Sequence, residues 1–246
     1  MRQWAALHED VVFGRSGGRI IWQPRILCWY TDKQFVGEPL PAPYTGLPMP
    51  EIYRKLGCSD RLYNWYNPCF RRVEDPGVQV QQEPLNETDT RITIHTPAGA
   101  QVAVHRRTPN SWHHISLKRE VESEAELKVA AWREERATWE WDQQAFDRAQ
   151  REVGDLGAPA IFMPRMNVQS LYIEKMGVEG GVFAMHDWPD TTAVFFAALE
   201  ACHDRLIELF APKLVLGISD EISSTGDIER VRLVGDIVEE YNARCK

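Results

Sequence analysis

The hydrophobic pattern changes period several times along the chain, and each change marks an element. "RITIHTPAGAQVAVHRR", residues 91–107, alternates apolar and polar positions on both sides of "TPAG". A period of two is that of a half-buried strand, and Pro97 and Gly99 at the second and fourth turn positions fit a type I-based hairpin. This reading sets Ile92 and Ile94 on one face with Val102 and Val104, and His95 and His105 on the other. "VQVQQ" at 78–82 is expected to add a third strand. After "RTPNSWHH" the period becomes helical. Ser123 and Glu126 form an S-x-x-E capping box for a helix to about Ala137. A second helix, from about Asp142 to Val153, carries Ala145, Phe146, Ala149 and Val153 as one stripe and stops at Gly154.

Further helices follow from the same reasoning. "MPEIYRKLG" closes at Gly57, a usual residue just past a helix end, and follows the proline-rich surface loop "VGEPLPAPYTGLPMP". "VQSLYIEKMG" reads as a helix ending at Gly177, and "VEGGVF" as an ordinary turn. Asp190 caps a long helix lined by Phe195, Leu199, Cys202 and Leu206. A last helix, about Asp227 to Ala243, carries Ile228, Val231, Val234, Val238 and Tyr241 inward.

Short apolar runs near 19–23, 60–64, 159–163 and 213–217 read as buried strands. Outside the hairpin, strands then alternate with helices, which argues for an α/β domain with parallel strands and outer helices. A closed (β/α) barrel needs eight strands. The expected architecture is therefore a partial (β/α)8, TIM-like barrel in one domain over 1–246, with a β-hairpin insertion at about 77–107.

Composition narrows the function. The chain has 246 residues, 43% hydrophobic and 26% charged, with a net charge of −8. An acidic chain lacks the electrostatic footprint for phosphate backbones, so no nucleic-acid partner is expected. No run of 18 apolar residues occurs, so no membrane span is expected, and acidic residues in "MRQWAALHEDVVFG" argue against an export signal. Five scattered cysteines suit a reducing, cytoplasmic compartment better than a disulfide framework.

In parallel α/β folds the working residues lie just past the strands. That rule selects Arg25, then Asp60 with Tyr63 and Asn67, then Arg165 and Asn167, then Asp220 and Glu221. Two arginines and an acid pair, with aromatic walls from Trp22, Trp29 and Tyr30, suit an anionic substrate. Singly, each also reads as a rim salt bridge over a core. Metal ligation has little support, because C-x-x-C, H-x-C and H-E-x-x-H are all missing from the sequence. His113 and His114 would face opposite sides of a strand. Cys202 and His203 would diverge by roughly 100° on a helix, with Cys202 in the core. His186 and Asp187 read as a turn and cap. "GRSGGR" precedes a strand instead of following one, so it does not read as a phosphate loop.

Four blocks carry a family resemblance: "RIIWQPRI", "TPAGAQVAVHRRTPNSWHHISLKREVESEAELKVAAW", "LGAPAIFMPRMNVQSLYIEKMG" and "LVLGISDEISSTGDIERVRLVGDIVEEYNA". Together they resemble the uroporphyrinogen decarboxylase superfamily, and are most similar to its less characterised branch near the corrinoid methyltransferases. The resemblance implies a (β/α)8 barrel with a tetrapyrrole-sized mouth. It implies either cofactor-free decarboxylation, or methyl transfer from a corrinoid by zinc held on His and Cys. Carried over, Arg25 matches the first-strand arginine that grips carboxylates, and Tyr172 the tyrosine of the second signature. Where the decarboxylases continue with Gln-Ala-Gly-Arg, this chain reads "RILCWY", which argues against uroporphyrinogen decarboxylation itself.

The resemblance also implies that several strand–helix units, with the H-x-C segment, are missing between "RLIEL" and "LVLGIS", at a junction near 209–213. A short αβ loop in a smaller fold would give the same local sequence. Two functions follow. One is an enzyme of tetrapyrrole or one-carbon chemistry, with a methyl donor or a corrinoid protein as partner, Arg25 and Arg165 on carboxylates and Asp60 or Asp220 stabilising positive charge. The other is a shortened, non-catalytic fragment or interaction module that self-associates. Zinc or another cofactor is not expected in the chain itself, although a corrinoid is compatible with the family.

Overall fold

The computed structural model describes residues 4–210. The strand expected at 213–217, the helix expected over 227–243, and Asp220 and Glu221 lie outside the described residues. The chain divides into two compact units, Met1–Leu209 and Phe210–Lys246; the architecture below is that of the first.

Four helices open it: α1 (Trp4–Val12), α2 (Leu27–Val36), α3 (Met49–Leu56) and the single turn α4 (Tyr63–Tyr66), which runs into a 3₁₀ turn at Asn67–Cys69. Then come β1 (Phe70–Val73), β2 (Gln79–Pro84), β3 (Asp89–Thr96), β4 (Gly99–Arg107) and β5 (His114–Lys118). They are followed by α5 (Glu124–Arg136), β6 (Thr138–Trp141) and α6 (Gln143–Val153). After an extended stretch, α7 (Asn167–Gln169) leads into a π-helical turn at Ser170–Lys175, then α8 (Gly177–Asp187) and α9 (Pro189–Phe210).

The strands form two antiparallel sheets, β1 with β6 and β2-β3-β4-β5 in chain order. This overturns the expected parallel, TIM-like barrel: among the described residues no strands pair in parallel and none close a ring. The physical reason lies in three of the supposed strands. Residues 19–26, 58–62 and 155–165 run side by side, but irregularly. Trp22 O accepts from Ser59 N (3.0 Å), and Leu156 O accepts from Asp60 N (3.0 Å). Pro24, Pro159 and Pro164 remove donors from these stretches. A central parallel strand is apolar on both faces because both are covered, whereas Ile20 is 83% exposed and Trp22 57%.

The hairpin forms on a two-residue loop, with Thr96 opposite Gly99. Thr96 Oγ1 accepts from Ala98 N (3.1 Å) and donates to Gly99 O (2.9 Å), holding the turn. This loop corrects the expected faces. Ile92 lies opposite Ala103 and Ile94 opposite Gln101, while Val102 and Val104 oppose Thr93 and Arg91. With Thr96 paired to Gly99, even-numbered positions on β3 share a face with odd-numbered ones on β4, and the strand period of two carries that parity along. His105 therefore joins the Ile92–Ile94 face and His95 leaves it.

Helix boundaries follow the capping chemistry. Ser123 Oγ accepts from Glu126 N (3.3 Å), and Glu126 Oε2 reaches back to Glu122 N (2.8 Å). Asp142 Oδ1 caps α6 through Ala145 N (2.8 Å). Gly57 ends α3 with φ +64°. Two boundaries differ from expectation. Gly177 opens α8, so "VEGGVF" is helical. Pro189 starts α9, its fixed φ suiting a first helical position, and Asp190 becomes a first-turn acid.

Two apolar cores hold the unit. One joins Tyr53, Cys58, Leu62 and Tyr66 to Ala145, Ala149, Val153 and Leu156. The other joins Val121, Leu127 and Ala130 of the α5 region to Leu171, Met176, Phe195 and Leu199. The four-stranded sheet attaches to α5 through the fully buried Gln101, whose Nε2 donates to Glu126 O (3.1 Å) and whose Oε1 accepts from Arg133 (3.0 Å).

Candidate functional site

Two places gather chemistry-bearing side chains. The first is the wall where 19–26, 58–64 and 155–165 meet. Its floor is a polar knot. His8 Nε2 sits 2.9 Å from Ser59 Oγ, and Gln23 Nε2 donates to the Asp60 carbonyl (3.1 Å). A Ser–His contact is the geometry of an activated nucleophile. Here Ser59 is fully buried and also engaged by Gln23 and the Asp60 carbonyl, so the pair joins three segments instead of facing a substrate. Burial holds His8 below the usual histidine range. Gly157 is obligatory at this crossing, because a Cβ there would stand 2.4 Å from the Asp60 carbonyl oxygen.

Asp60 is 6% exposed. Burial raises its carboxyl above the ordinary range, partly offset by the Trp65 indole N–H, backbone N–H groups of Leu62 and Arg61, and the Tyr53 hydroxyl. The Trp65 bond is 3.3 Å long. Tyr53 also donates to Pro24 O (3.1 Å), which ties the segment carrying Arg25 to this floor. Desolvation beside Asp60 pushes the Tyr53 hydroxyl up and the Cys58 thiol up to about 11. Above the floor, Arg25 is exposed and forms no ion pair among the described residues. Tyr63 and Phe162 pack ring to ring with centroids 4.1 Å apart, and Phe162 N donates to Asn67 Oδ1 (2.8 Å). Trp29 instead meets Tyr44 edge-on at 6.3 Å.

The second place is a cavity of about 280 Å³ among β1, β6, α5, α9 and the π-helical turn. Its walls are charged. Arg72 pairs with Glu134 (2.5 Å) and Glu74 (3.1 Å), and Arg133 with Glu74 (2.9 Å) and Glu120 (2.5 Å). Lys175 lies 3.4 Å from Glu120 and 3.7 Å from Glu134. Arg165 and Glu174 pair at the rim (3.1 Å), and Ser170 Oγ donates to Glu174 (3.1 Å). These contacts hold the Glu74 and Glu120 carboxyls below the usual range, despite desolvation that acts the other way. At the bottom His203 is 1% exposed, and desolvation lowers its pKa. Glu74 Oε2, Arg133 Nε and His203 Nδ1 are buried without hydrogen-bond partners among the described residues.

The structure thus separates the expected site residues. Arg25 and Asp60 belong to the first place, although Asp60 faces inward. Arg165 lines the cavity but is already ion-paired. Asn167, at φ +45°, donates to Glu200 (2.7 Å). Tyr172 is a packing residue against Gly181, where an added Cβ would come within 2.4 Å of its ring. Phe162 and Arg165 are three residues apart, a reach of about 10 Å, so the two places adjoin along one segment. His113 stacks on Trp112 and His114 on His105, so the adjacent pair does diverge. His186 Nδ1 contacts Asp187 (2.7 Å) at the exposed end of α8. Among the described residues no cluster of three or more His, Cys, Asp or Glu could hold a metal, and no helix is long and apolar enough to cross a membrane.

Sequence reasoning missed the charged cavity. One signal was available: Leu127, Ala130, Ala131 and Glu134 share a helical face, so Glu134 sits on the buried stripe of α5. His203, four residues after Leu199, flanks the stripe of α9 in the same way. No family model matches the chain, and no curated protein or solved structure proved similar to it.

Proposed function

We propose that the chain is a shortened relative of the uroporphyrinogen decarboxylase superfamily that holds a carboxylated tetrapyrrole on the wall around Arg25 and does not convert it. The observation that carries this reading is the placement of Arg25. It is an exposed cation without an ion-pair partner among the described residues, on a segment joined to Asp60 through Tyr53. A free guanidinium can take a carboxylate bidentately. The exposed faces of Trp22 and Phe162, 57% and 43% exposed, offer flat apolar surface on neighbouring segments.

The absence of turnover follows from Asp60. To stabilise positive charge on a pyrrole, a carboxylate must reach the ligand. This one is buried and committed to Trp65 and to backbone N–H groups. Arg165, the second expected carboxylate ligand, is neutralised by Glu174. The experiment is an absorbance titration of the purified chain with uroporphyrin, and separately with a cobalamin, alongside an assay for carbon dioxide release from uroporphyrinogen. A shifted Soret band that weakens at least tenfold in Arg25→Ala, without product formation, is the expected result. No band shift, or equal binding by Arg25→Ala, overturns the binding reading; turnover overturns the non-catalytic one.

A further inference from the structure

The four-stranded sheet ends on β2, and the outer side of that strand has backbone groups without partners. We propose that β2 is a self-association edge: it pairs antiparallel with β2 of a second copy of this chain, about a two-fold axis at Gln81, and joins the two sheets into one.

The register shows which groups face outward. Leu85 N donates to Asp89 O (2.8 Å), and Glu83 lies opposite Arg91, Gln81 opposite Thr93 and Gln79 opposite His95. Hydrogen-bonded and non-hydrogen-bonded pairs alternate along an antiparallel ladder. The odd-numbered residues of β2 therefore bond to β3, and Val80, Gln82 and Pro84 direct their backbone groups away from the sheet. Every residue of β2 is exposed. Outside the ladder, neither Val80 N nor Gln82 N has a partner among the described residues.

Two stops bracket this window. Pro84 has no N–H, and Val78 N already donates to Asp75 O (2.9 Å). Val80 and Gln82 remain, two residues apart, and such a window is complementary to itself. With Gln81 opposite Gln81 of the second copy, each Val80 meets a Gln82 and exchanges both N–H···O bonds with it. In the same register Pro84 lies opposite Val78, so the residue without a donor faces the one whose donor is engaged. An isologous contact of this kind matches by symmetry, whereas an unrelated peptide strand would have to match by coincidence.

The side chains agree with this register, since residues directly opposite share a face. On one face Val78 stands against Pro84 and Val80 against Gln82, which covers part of Val80, 56% exposed in the single chain. On the other face Gln79 stands against Glu83, whose charge Arg91 holds (3.2 Å). No like charges oppose each other. α5 packs on β4, two strands or roughly 10 Å from the seam, and does not obstruct it. The opposite edge of the sheet, β5, carries a register shift at Val104/His105 and the cation Lys118, devices that protect an edge from pairing.

The test uses the full chain, by sedimentation velocity from about 1 µM to about 1 mM with amide exchange in β2 followed by NMR. Dimer should form as concentration rises, and the Val80 and Gln82 amides should gain protection in step. Gln82→Pro removes an outward donor, leaves the bonds to β3 in place, and should weaken dimerisation roughly tenfold or more. Gln81→Lys and Gln81→Glu each set like charges face to face across the axis and should each weaken it about fivefold, while an equimolar mixture of the two recovers it. If Gln82→Pro does not fold, the exposed Gln81 variants and their mixture decide. A wild type that stays monomeric throughout overturns the proposal. So does a dimer that Gln82→Pro leaves unchanged, or a mixture of the Gln81 variants that associates no better than either alone.

Discussion

Glu134→Gln is the substitution that most directly probes the buried ion network. The Glu134 side chain is 5% exposed and accepts from Arg72 at 2.5 Å, with Lys175 at 3.7 Å. The amide keeps the shape and removes the charge. Neither cation is stranded, because Arg72 keeps Glu74 at 3.1 Å and Lys175 keeps Glu120 at 3.4 Å. The full 3–5 kcal/mol for orphaning a buried ion therefore does not apply, and one charge-assisted bond at about 1.5–3 kcal/mol sets the scale. The expected loss is about 2 kcal/mol, or about 4–8 °C in melting temperature for a chain of this size. Arg71–Glu140 supplies the contrast, since those side chains are 70% and 54% exposed, and Glu140→Gln should cost under about 0.5 kcal/mol. Urea unfolding of both variants and of an Arg72→Met/Glu134→Leu double-mutant cycle measures this, and 0.5 M salt should leave the Glu134 effect nearly intact. A cost for Glu134→Gln no larger than that for Glu140→Gln would refute the reasoning.

Three further outcomes follow from the same structure. His8, His105 and His203 all have pKa values lowered by burial, so the unfolded chain binds more protons than the folded one below pH 6.5. Stability should fall as pH drops from about 6.5 through the folded values, with raised Asp60 opposing this only near the carboxylate range; a urea midpoint unchanged between pH 7.5 and 5.5 would contradict it. Gly157→Ala forces a Cβ to 2.4 Å from backbone oxygen and should cost about 1–3 kcal/mol or more by thermal unfolding, as an overpacking change does. Ser123→Ala removes the cap of α5 and should cost about 1 kcal/mol, most visibly as faster hydrogen exchange in the first turn; unchanged exchange there would mean that Glu126 alone holds it.

The helices were legible because their evidence is local. A capping hydroxyl and the carboxylate three residues on, as at Ser123 and Glu126, settle a terminus without reference to the rest of the chain. A stripe such as Ala145, Ala149 and Val153 needs only some apolar partner, whichever it is. The hairpin faces failed for an equally local reason, since the loop that "TPAG" builds already dictates odd-to-even pairing. The charged cavity was half legible. Glu134 and His203 stand on or beside apolar stripes, which marks them as buried. Their partners on β1 and the π-helical turn could not be read from α5 or α9.

The parallel strands failed because a strand, unlike a helix, is not satisfied within itself. Residues 19–23 and 159–163 have the composition of buried strands, but composition cannot supply a neighbour with free donors in register. With prolines at 24, 159 and 164, and only isolated backbone bonds to 58–62, these segments lie adjacent without forming a ladder. The same fact shapes the candidate site. Side chains on a regular strand alternate strictly, so a barrel would have aimed Asp60 and Arg25 by parity alone. On irregular segments each side chain turns to its best partner. Asp60 goes inward to Trp65 and backbone N–H groups, and Arg25, with no ion-pair partner among the described residues, is exposed. The division between a buried acid and an exposed base is thus a consequence of the missing ladder, and the proposed grip on a carboxylate without its conversion rests on that division.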